Sequence, residues 1–319
     1  MLRGPPEDRS PAELLDFGVV NLDKPPGPSA HQVAAWVRDL AREAMASVER
    51  AEGHAEPVEQ AAHAGTLDPK VTGCLPVLTG TATRLSQVFL EGAKEYVAVL
   101  ELHDEAPSDV EAIAAEFEGP LYQKPPRKSA VARQLRVREI YDLDVLEVTD
   151  RQALLRIRCE SGTYVRKLCH DLGLALGTGA HMGDLRRTGT DPFDDSTLVT
   201  MEDLADGLAR WREDDDDDWL REVVQPAEAA LTHLPAVTIA RSAAEQVAQG
   251  AQVYAPGVIE VDGLRPSARR TESDGAEDAD ENQLVACYIP DGAAVCLGTM
   301  VGDPVAEEGV AVELERVLV

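Results

Sequence analysis

The stretch "HAGTLDPKVTGCLPVLTG", from His63 to Gly80, places one carboxylate among small and apolar residues. Its second half, "CLPVLTG", has the composition of a short buried strand, and its first half, with glycines on both sides of Asp68, that of a tight loop. Asp68 followed by Pro69 also fits an N-cap with proline at the first helical position. The local sequence therefore leaves two interpretations open, a helix cap and a catalytic carboxylate.

The segments around this stretch alternate between strand and helix patterns. "FGVVNLDK", "KEYVAVLELH" and "ALLRIRCE" predict strands, and Ser29 with Gln32 predicts a capping box that starts a helix. The apolar stripe of that helix is expected at Val33, Trp36, Leu40 and Ala44. Because the pattern shows no regular βαβ repeat, it favours an α+β fold with a mixed, largely antiparallel sheet.

The character of the chain changes near His233, where short strand patterns separated by glycine turns begin. We therefore predict an N-terminal extension at 1–16, a main domain at 17–232 and a small β-barrel domain at 233–319. Residues 264–282 are polar and acidic, and we expect a mobile loop there. None of the candidate chemistry lies in the barrel, so we expect the main domain to fold without it.

Composition limits the class of protein. The chain of 319 residues has 44% hydrophobic residues and five scattered cysteines without a CxxC pair, which predicts a globular protein with reduced thiols and no zinc site. No segment has the pattern of a membrane span or a signal peptide, so we expect a cytoplasmic protein.

The charge distribution is uneven. The chain has 58 acidic and 30 basic residues, a net charge of −28 that is typical of a protein working in high salt. Within it, "LYQKPPRKSAVARQLRVR" (121–138) has no acidic residue, and Pro125 and Pro126 predict a loop there. We interpret this window as a binding surface for an anionic ligand. Its basic side chains are Lys124, Arg127, Lys128, Arg133, Arg136 and Arg138.

Four motifs, "HAGTLDP", "KEY", "SGTYVRKL" and "GAHMGDLRR", occur in the order in which the tRNA pseudouridine synthase B family has them. The chain resembles that family from Phe17 to beyond Arg187, and its C-terminal part resembles the PUA RNA-binding domain. "FGVVNLDKPPGPSAHQV", "QKPPRKSAVARQLRVR" and "TDPF" resemble the archaeal and eukaryotic branch, which includes dyskerin of H/ACA ribonucleoproteins. One departure is Ala62-His63-Ala64-Gly65-Thr66 in place of Gly-His-Gly-Gly-Thr, where two extra methyl groups are expected to narrow the loop.

The resemblance implies a role for each matching residue. Asp68 would be the nucleophile and Arg166 the arginine that keeps it ionised and oriented, even in a dry pocket. Tyr96 would stack on the flipped base and take part in proton removal. Tyr164 and Leu185 would line the uracil pocket, while His63 would hold the flipped-out region of the RNA. The basic window would clamp RNA phosphates.

The implied reaction isomerises uridine to pseudouridine, and it adds and removes no atoms. We therefore expect no cofactor and no metal. The implied substrates are the T-loop uridine of tRNA, uridines of rRNA selected by an H/ACA guide RNA with its small partner proteins, or both. A catalytically idle RNA-binding scaffold of the same fold is the alternative, although such a scaffold would need none of Asp68, Tyr96 and Arg166.

Overall fold

The computed structural model describes residues 2–52, 58–124, 134–264 and 283–319. They form an α+β fold with two sheets, a ten-stranded and a six-stranded one in the described residues. The larger sheet consists of β1 (Phe17–Lys24), β2 (Ala61–His63), β3 (Thr72–Gly80), β4 (Lys94–Leu102), β5 (Gly119–Gln123), β6 (Arg136–Val148), β7 (Gln152–Cys159), β8 (Ala180–Thr190), β9 (Phe193–Asp194) and β10 (Gln225–Pro226).

The helices of the first part are α1 (Pro11–Asp16), α2 (Ala30–Glu52), α3 (Val88–Glu91), α4 (Val110–Ala115), α5 (Val165–Ala175), α6 (Met201–Asp214) and α7 (Asp218–Val223). Helices α1, α2, α4 and α5 pack against this sheet, and α6 packs against α2 and α7. In the larger sheet the strand order is β10-β1-β3-β8-β4-β7-β6-β5, and β3 with β8 is its parallel pair among the described strands. The predicted mixed, largely antiparallel sheet is confirmed.

The parallel contact between β3 and β8 brings distant motifs together. Thr72 pairs with Arg186, and Gly73 pairs with Arg187, at the start of β3. On its other side β8 pairs with β4, where Tyr96 lies opposite Arg187. The loop before β3, which carries Asp68, therefore ends beside β8, and β8 alone separates it from β4, which carries "KEY".

Helix α2 begins with the predicted capping box, in which the Gln32 backbone nitrogen donates to Ser29 Oγ at 3.2 Å and the Ser29 nitrogen donates to Gln32 Oε1 at 2.9 Å. The predicted stripe is wrong at Trp36, which is 46% exposed, while Val37 is buried. A slight rotation of the buried face explains the difference, because small residues on either side, such as Ala34 and Ala41, are buried instead.

The second sheet is formed by the C-terminal part of the chain around α8 (Arg241–Val247). Its strands are β11 (Ala236–Ile239), β12 (Val253–Tyr254), β13 (Val258–Asp262), β14 (Leu284–Tyr288), β15 (Ala294–Met300) and β16 (Val310–Val317). They follow the order β12-β16-β15-β14-β11-β13 in the sheet. Apart from residue 264, the predicted mobile loop (264–282) lies outside the described residues.

The two parts share a hydrophobic core. One buried cluster contains Phe17 and Phe89 of the first part together with Ala294, Leu297 and Leu318 of the second. The structure therefore argues against the expectation that the main domain folds without the barrel, because removing the barrel exposes side chains such as Phe17 to water.

All five cysteines are free and buried. Within the described residues, no helix is long and apolar enough to cross a membrane.

Candidate active site

A cleft of about 1030 Å³ opens where β3, β4 and β8 meet the start of α5. It brings together candidate residues that lie far apart in the sequence. Those that line it are His63, Asp68, Tyr96, Tyr164, Arg166 and Leu185.

The Asp68 loop is a turn held by backbone and lysine contacts. The Val71 nitrogen donates to the Asp68 carbonyl at 3.0 Å, and the chain then continues into β3 rather than into a helix, so the helix-cap interpretation of Asp68 is wrong. Lys24, at the end of β1 and fully buried, donates from Nζ to the Pro69 carbonyl at 3.1 Å and to the Val71 carbonyl at 2.8 Å. A buried ammonium satisfied by carbonyls fixes the backbone around it, and here it fixes the loop that presents Asp68.

Asp68 forms an ion pair with Arg166 across the cleft. Arg166 Nη2 donates to Asp68 Oδ2 at 2.5 Å, and the two side chains are 57% and 56% exposed. The pairing expected from the resemblance is thus present, in a part of the cleft that is open to solvent in the described residues. A charge-assisted hydrogen bond of this kind orients the carboxylate toward whatever enters the cleft.

Two features position Arg166 and Tyr164 at the start of α5. Gln123, the last residue of β5, is buried and forms reciprocal amide contacts: its Oε1 accepts from the Tyr164 nitrogen at 2.9 Å, and its Nε2 donates to the Tyr164 carbonyl at 3.4 Å. Gly162 has φ +82°, a conformation that favours glycine, and it lies against the Arg138 guanidinium. The turn is thereby held on both sides.

Tyr96 and Leu185 come from neighbouring strands. Leu185 on β8 pairs with Ala98, and Tyr96 pairs with Arg187, so both side chains belong to the β4–β8 part of the cleft. Burial raises the pKa of the Tyr96 hydroxyl, and the charge of Arg187 opposes that rise. The phenol is therefore protonated at neutral pH in the free protein.

His63 lies at the edge of the cleft beside a second histidine. Its ring meets that of His31 edge to face, with centroids 5.8 Å apart. Burial, followed by the charges of His31 and Arg187, lowers the pKa of His63, and its Nδ1 is buried without a hydrogen-bond partner. A neutral imidazole there can contact a ligand by stacking or hydrogen bonding rather than by charge.

Ala62 and Ala64, the two departures from the family pattern, are not among the described residues that line the cleft. Ala64 is fully buried in the shared core cluster, and Ala62 of β2 pairs with Leu78 of β3. The expected narrowing of the loop stays a prediction.

The basic window is described only in part. Lys124 is exposed directly after β5, and Arg136 is half-buried at the start of β6, while Arg127, Lys128 and Arg133 lie outside the described residues. Arg138 forms an ion pair with Glu160 and so braces the turn before α5.

Sequence reasoning missed four cationic residues that line the cleft, Lys94, Arg187, Arg84 and Arg316. Lys94 stands in the "KEY" motif and Arg187 in "GAHMGDLRR", but a lysine or an arginine in a strand pattern is ordinarily solvated. Arg316 comes from β16 of the second part, so the barrel contributes to the wall of the cleft. The described residues contain no group of three or more histidine, cysteine, aspartate or glutamate side chains able to hold a metal ion.

Comparison with protein families divides the chain into four matched segments. Residues 54–165 match the TruB family pseudouridylate synthase N-terminal domain, and residues 166–232 match the tRNA pseudouridylate synthase B C-terminal domain. Residues 4–34 match the DKCLD domain, and residues 235–318 match the PUA domain.

Similar proteins match the chain over its whole length. The chain is 62% identical to a probable tRNA pseudouridine synthase B of Halobacterium salinarum, covering 100% of this chain and 99% of that protein. It is 60% identical to the protein of the same name from Haloarcula marismortui, covering 100% and 94%.

Among solved structures, a Cbf5-Nop10-Gar1 complex contains a chain of 40% identity with a TM-score of 0.86, covering 100% of this chain and 90% of that one. An H/ACA ribonucleoprotein bound to a substrate RNA containing 2'-deoxyuridine matches at 38% identity with a TM-score of 0.84, covering 100% and 90%. With that likeness, and with aspartate, arginine and tyrosine gathered in one cleft, the chain belongs to the TruB family of pseudouridylate synthases.

Proposed function

We propose that this chain isomerises uridine to pseudouridine in RNA, with Asp68 as the nucleophile. The observation that carries the proposal is the Asp68–Arg166 ion pair, at 2.5 Å, in a cleft that Tyr96 also lines. An idle scaffold would need no such arrangement, and the pair is not required to hold the fold because both side chains are more than half exposed.

The target uridine must leave its stack, because its glycosidic bond is otherwise out of reach. The flipped nucleotide would enter the cleft between Tyr96, Tyr164 and Leu185, with His63 at the edge. Arg166 holds the Asp68 carboxylate through their ion pair and directs it at the sugar.

Asp68 then attacks the ribose or assists departure of uracil, and the base turns and rejoins the ribose through carbon. Attack on C1′, attack on the base and a glycal route all remain open. Tyr96 stacks on the base and takes part in removing the proton from the base carbon that is newly bonded to the ribose.

The cations around the cleft suit an RNA substrate. Arg84 and Arg316 border it, and Arg84 Nη1 donates to the Val317 carbonyl at 3.2 Å, which links the first part of the chain to the barrel. These side chains and the basic window at 121–138 would hold the RNA backbone. The acidic remainder of the surface suits a cytoplasm with concentrated salt.

The names of the similar proteins suggest two classes of substrate. We propose tRNA as one and uridines selected by an H/ACA guide RNA as the other, the latter with small partner proteins like those of the Cbf5-Nop10-Gar1 complex. Pseudouridine formed in a tRNA transcript by the chain alone would support stand-alone action. Product formed only in the presence of guide RNA and partner proteins would support guide-dependent action.

The nucleophile is tested by Asp68→Asn, with Asp144→Asn as the matched control. Asp144 is an exposed aspartate that also pairs with an arginine at 2.5 Å, but it lies outside the cleft. We expect D68N to fold and to bind RNA as wild type does while its single-turnover rate falls below detection, and D144N to keep its rate. If D68N keeps a tenth of the wild-type rate, about 1.4 kcal/mol of barrier, Asp68 is not the nucleophile.

A further inference from the structure

Two buried cations share a face of the sheet with Tyr96. Arg187 is 1% exposed and Lys94 is 3% exposed, and both line the cleft. Lys94 lies two residues before Tyr96 on β4, and Arg187 lies opposite Tyr96 on β8. Residues two apart on a strand and residues directly opposite each other point to the same side, so the three side chains form one cluster.

Backbone carbonyls hold both cations in place. Lys94 Nζ donates to the carbonyls of Phe89 and Gly92, both at 2.8 Å, and Arg187 Nε donates to the Cys74 carbonyl at 2.7 Å. In the described part of the chain no carboxylate forms a salt bridge with either of them. Buried charges without a counterion are costly, and strongly perturbed groups in a cleft mark functional positions.

Arg187 also has unused hydrogen-bonding capacity. Its Nη2 is buried and has no hydrogen-bond partner, and its Nη1 lies under the glycine turn, 3.4 Å from the place where a Cβ on Gly65 would stand. The guanidinium interacts with the Tyr96 phenol, and its charge also acts on His63, Cys74 and Lys94. Such a group is positioned for negative charge that develops during the reaction rather than for charge in the resting protein.

We propose that Arg187 is a positioning residue for Tyr96: its guanidinium holds the Tyr96 oxygen and stabilises the deprotonated form of that oxygen while it removes the proton from C5 of the rejoined base. The proposal rests on the proposed function. The phenol first gives its proton to water. The phenolate oxygen then takes the C5 proton, the C–H electron pair becomes the C5=C6 bond, and the C6=N1 pair moves to N1, which takes a proton from water.

The electrostatics agree with this role. Burial raises the pKa of Tyr96, and the charge of Arg187 and its contact with the phenol lower it. Burial, followed by the charge of Arg187, lowers the pKa of Lys94 to about 8. The groups that face Tyr96 within the sheet are Lys94, Arg187, Cys159 and Cys74, and those across the cleft are Asp68, Arg166 and His63.

The test is Arg187→Gln, which keeps an amide donor for the Cys74 carbonyl and removes the charge. The control is Arg158→Gln on β7, an arginine that pairs with Asp191 at 3.0 Å and does not line the described cleft. Ionisation of Tyr96 is followed by the ultraviolet absorbance of tyrosinate, as the difference between each variant and its Tyr96→Phe counterpart, because Tyr96 is one of six tyrosines. Lysine titration does not contribute to that signal.

We expect R187Q to raise the pKa of Tyr96, to slow single turnover at least about tenfold at neutral pH and to regain rate as the pH rises, while R158Q changes neither quantity. R187K, which keeps the charge, is expected to lie between wild type and R187Q. It also serves as the test variant if a thermal melt shows R187Q unfolded at the assay temperature. An unchanged tyrosinate titration, or a rate loss equal at every pH, would overturn the proposal.

The titration does not depend on activity, which separates the two hypotheses. A wild-type chain that forms no pseudouridine, either alone or with guide RNA and partner proteins, contradicts the proposed function. An active wild type with an unchanged Tyr96 titration in R187Q contradicts only the role of Arg187.

Discussion

At the scale of single residues, the same contact can have different consequences in different places. Arg166–Asp68 and Arg156–Asp144 are both ion pairs at 2.5 Å between side chains about half exposed. Exposed pairs contribute about 0–1 kcal/mol to stability, so neither is retained chiefly for folding. The difference lies in location, because Arg166–Asp68 lines the cleft and Arg156–Asp144 lies on the outer strands β6 and β7.

We therefore predict that Arg166→Ala lowers the single-turnover rate by about 100-fold or more, since the carboxylate loses its charge-assisted orientation. Arg156→Ala should leave the rate unchanged. Both variants should keep the free energy of unfolding within about 1 kcal/mol of wild type, measured by denaturant titration. A loss of several kcal/mol in R166A would mean that the pair is structural.

At the scale of elements, the site depends on the close approach of β3 to β8. Gly73 has φ +95°, and a Cβ there would lie 2.1 Å from the Arg187 carbonyl oxygen. Gly119, at the start of β5, has nearly the same φ, +94°, and no described atom lies within 4 Å of the place where its Cβ would stand. Alanine substitutions at these two glycines therefore separate the effect of backbone strain, which both share, from the effect of steric conflict, which only Gly73 has.

Gly119→Ala should cost only the strain of a left-handed alanine, about 1 kcal/mol. Gly73→Ala should cost several kcal/mol and reduce activity, because β3 must move away from β8 and carry the Asp68 loop with it. Denaturant titration measures the first effect and single turnover the second. Equal losses of stability in the two variants would show that β8 can shift away from the added Cβ at little cost in free energy.

The sequence predicts these elements better than their contacts. Motif order identifies Asp68, Tyr96 and Arg166, and strand periods identify β1, β3, β4 and β7, since both signals are local. The cationic pair of Lys94 and Arg187 depends on the register between β4 and β8, which no local pattern states. For the same reason the prediction for Trp36 is wrong, because the packing partners of α2 decide which face is buried.

At the scale of the whole molecule, a buried ion pair joins the N-terminal segment to Glu228 of the main domain, which in turn contacts the barrel. Arg9 Nη1 and Nη2 donate to the two carboxylate oxygens of Glu228 at 2.8 and 2.6 Å, and Glu228 Oε1 also accepts from the Ala294 nitrogen of β15 at 3.1 Å. Arg9 is 2% exposed and Glu228 is 9% exposed. Together with the shared core cluster, this junction indicates that the two parts unfold as one cooperative unit.

The junction predicts a strong coupling between these two side chains. Glu228→Gln leaves the Arg9 charge buried without a counterion, and Arg9→Met does the same to Glu228, so each should lower the free energy of unfolding by about 3–5 kcal/mol. The double variant R9M/E228Q should lose less than the sum, by about 2 kcal/mol, because it buries no unpaired charge and the amide oxygen introduced at position 228 can still accept from the Ala294 nitrogen. The exposed Arg156–Asp144 pair, treated with R156A and D144N, should show a coupling below about 1 kcal/mol. Circular dichroism through a denaturant titration measures all of these free energies. It also tests the premise, because wild type should unfold in a single transition. Two separate transitions, or additive losses for Arg9 and Glu228, would mean that the barrel is attached to the catalytic part without being coupled to it.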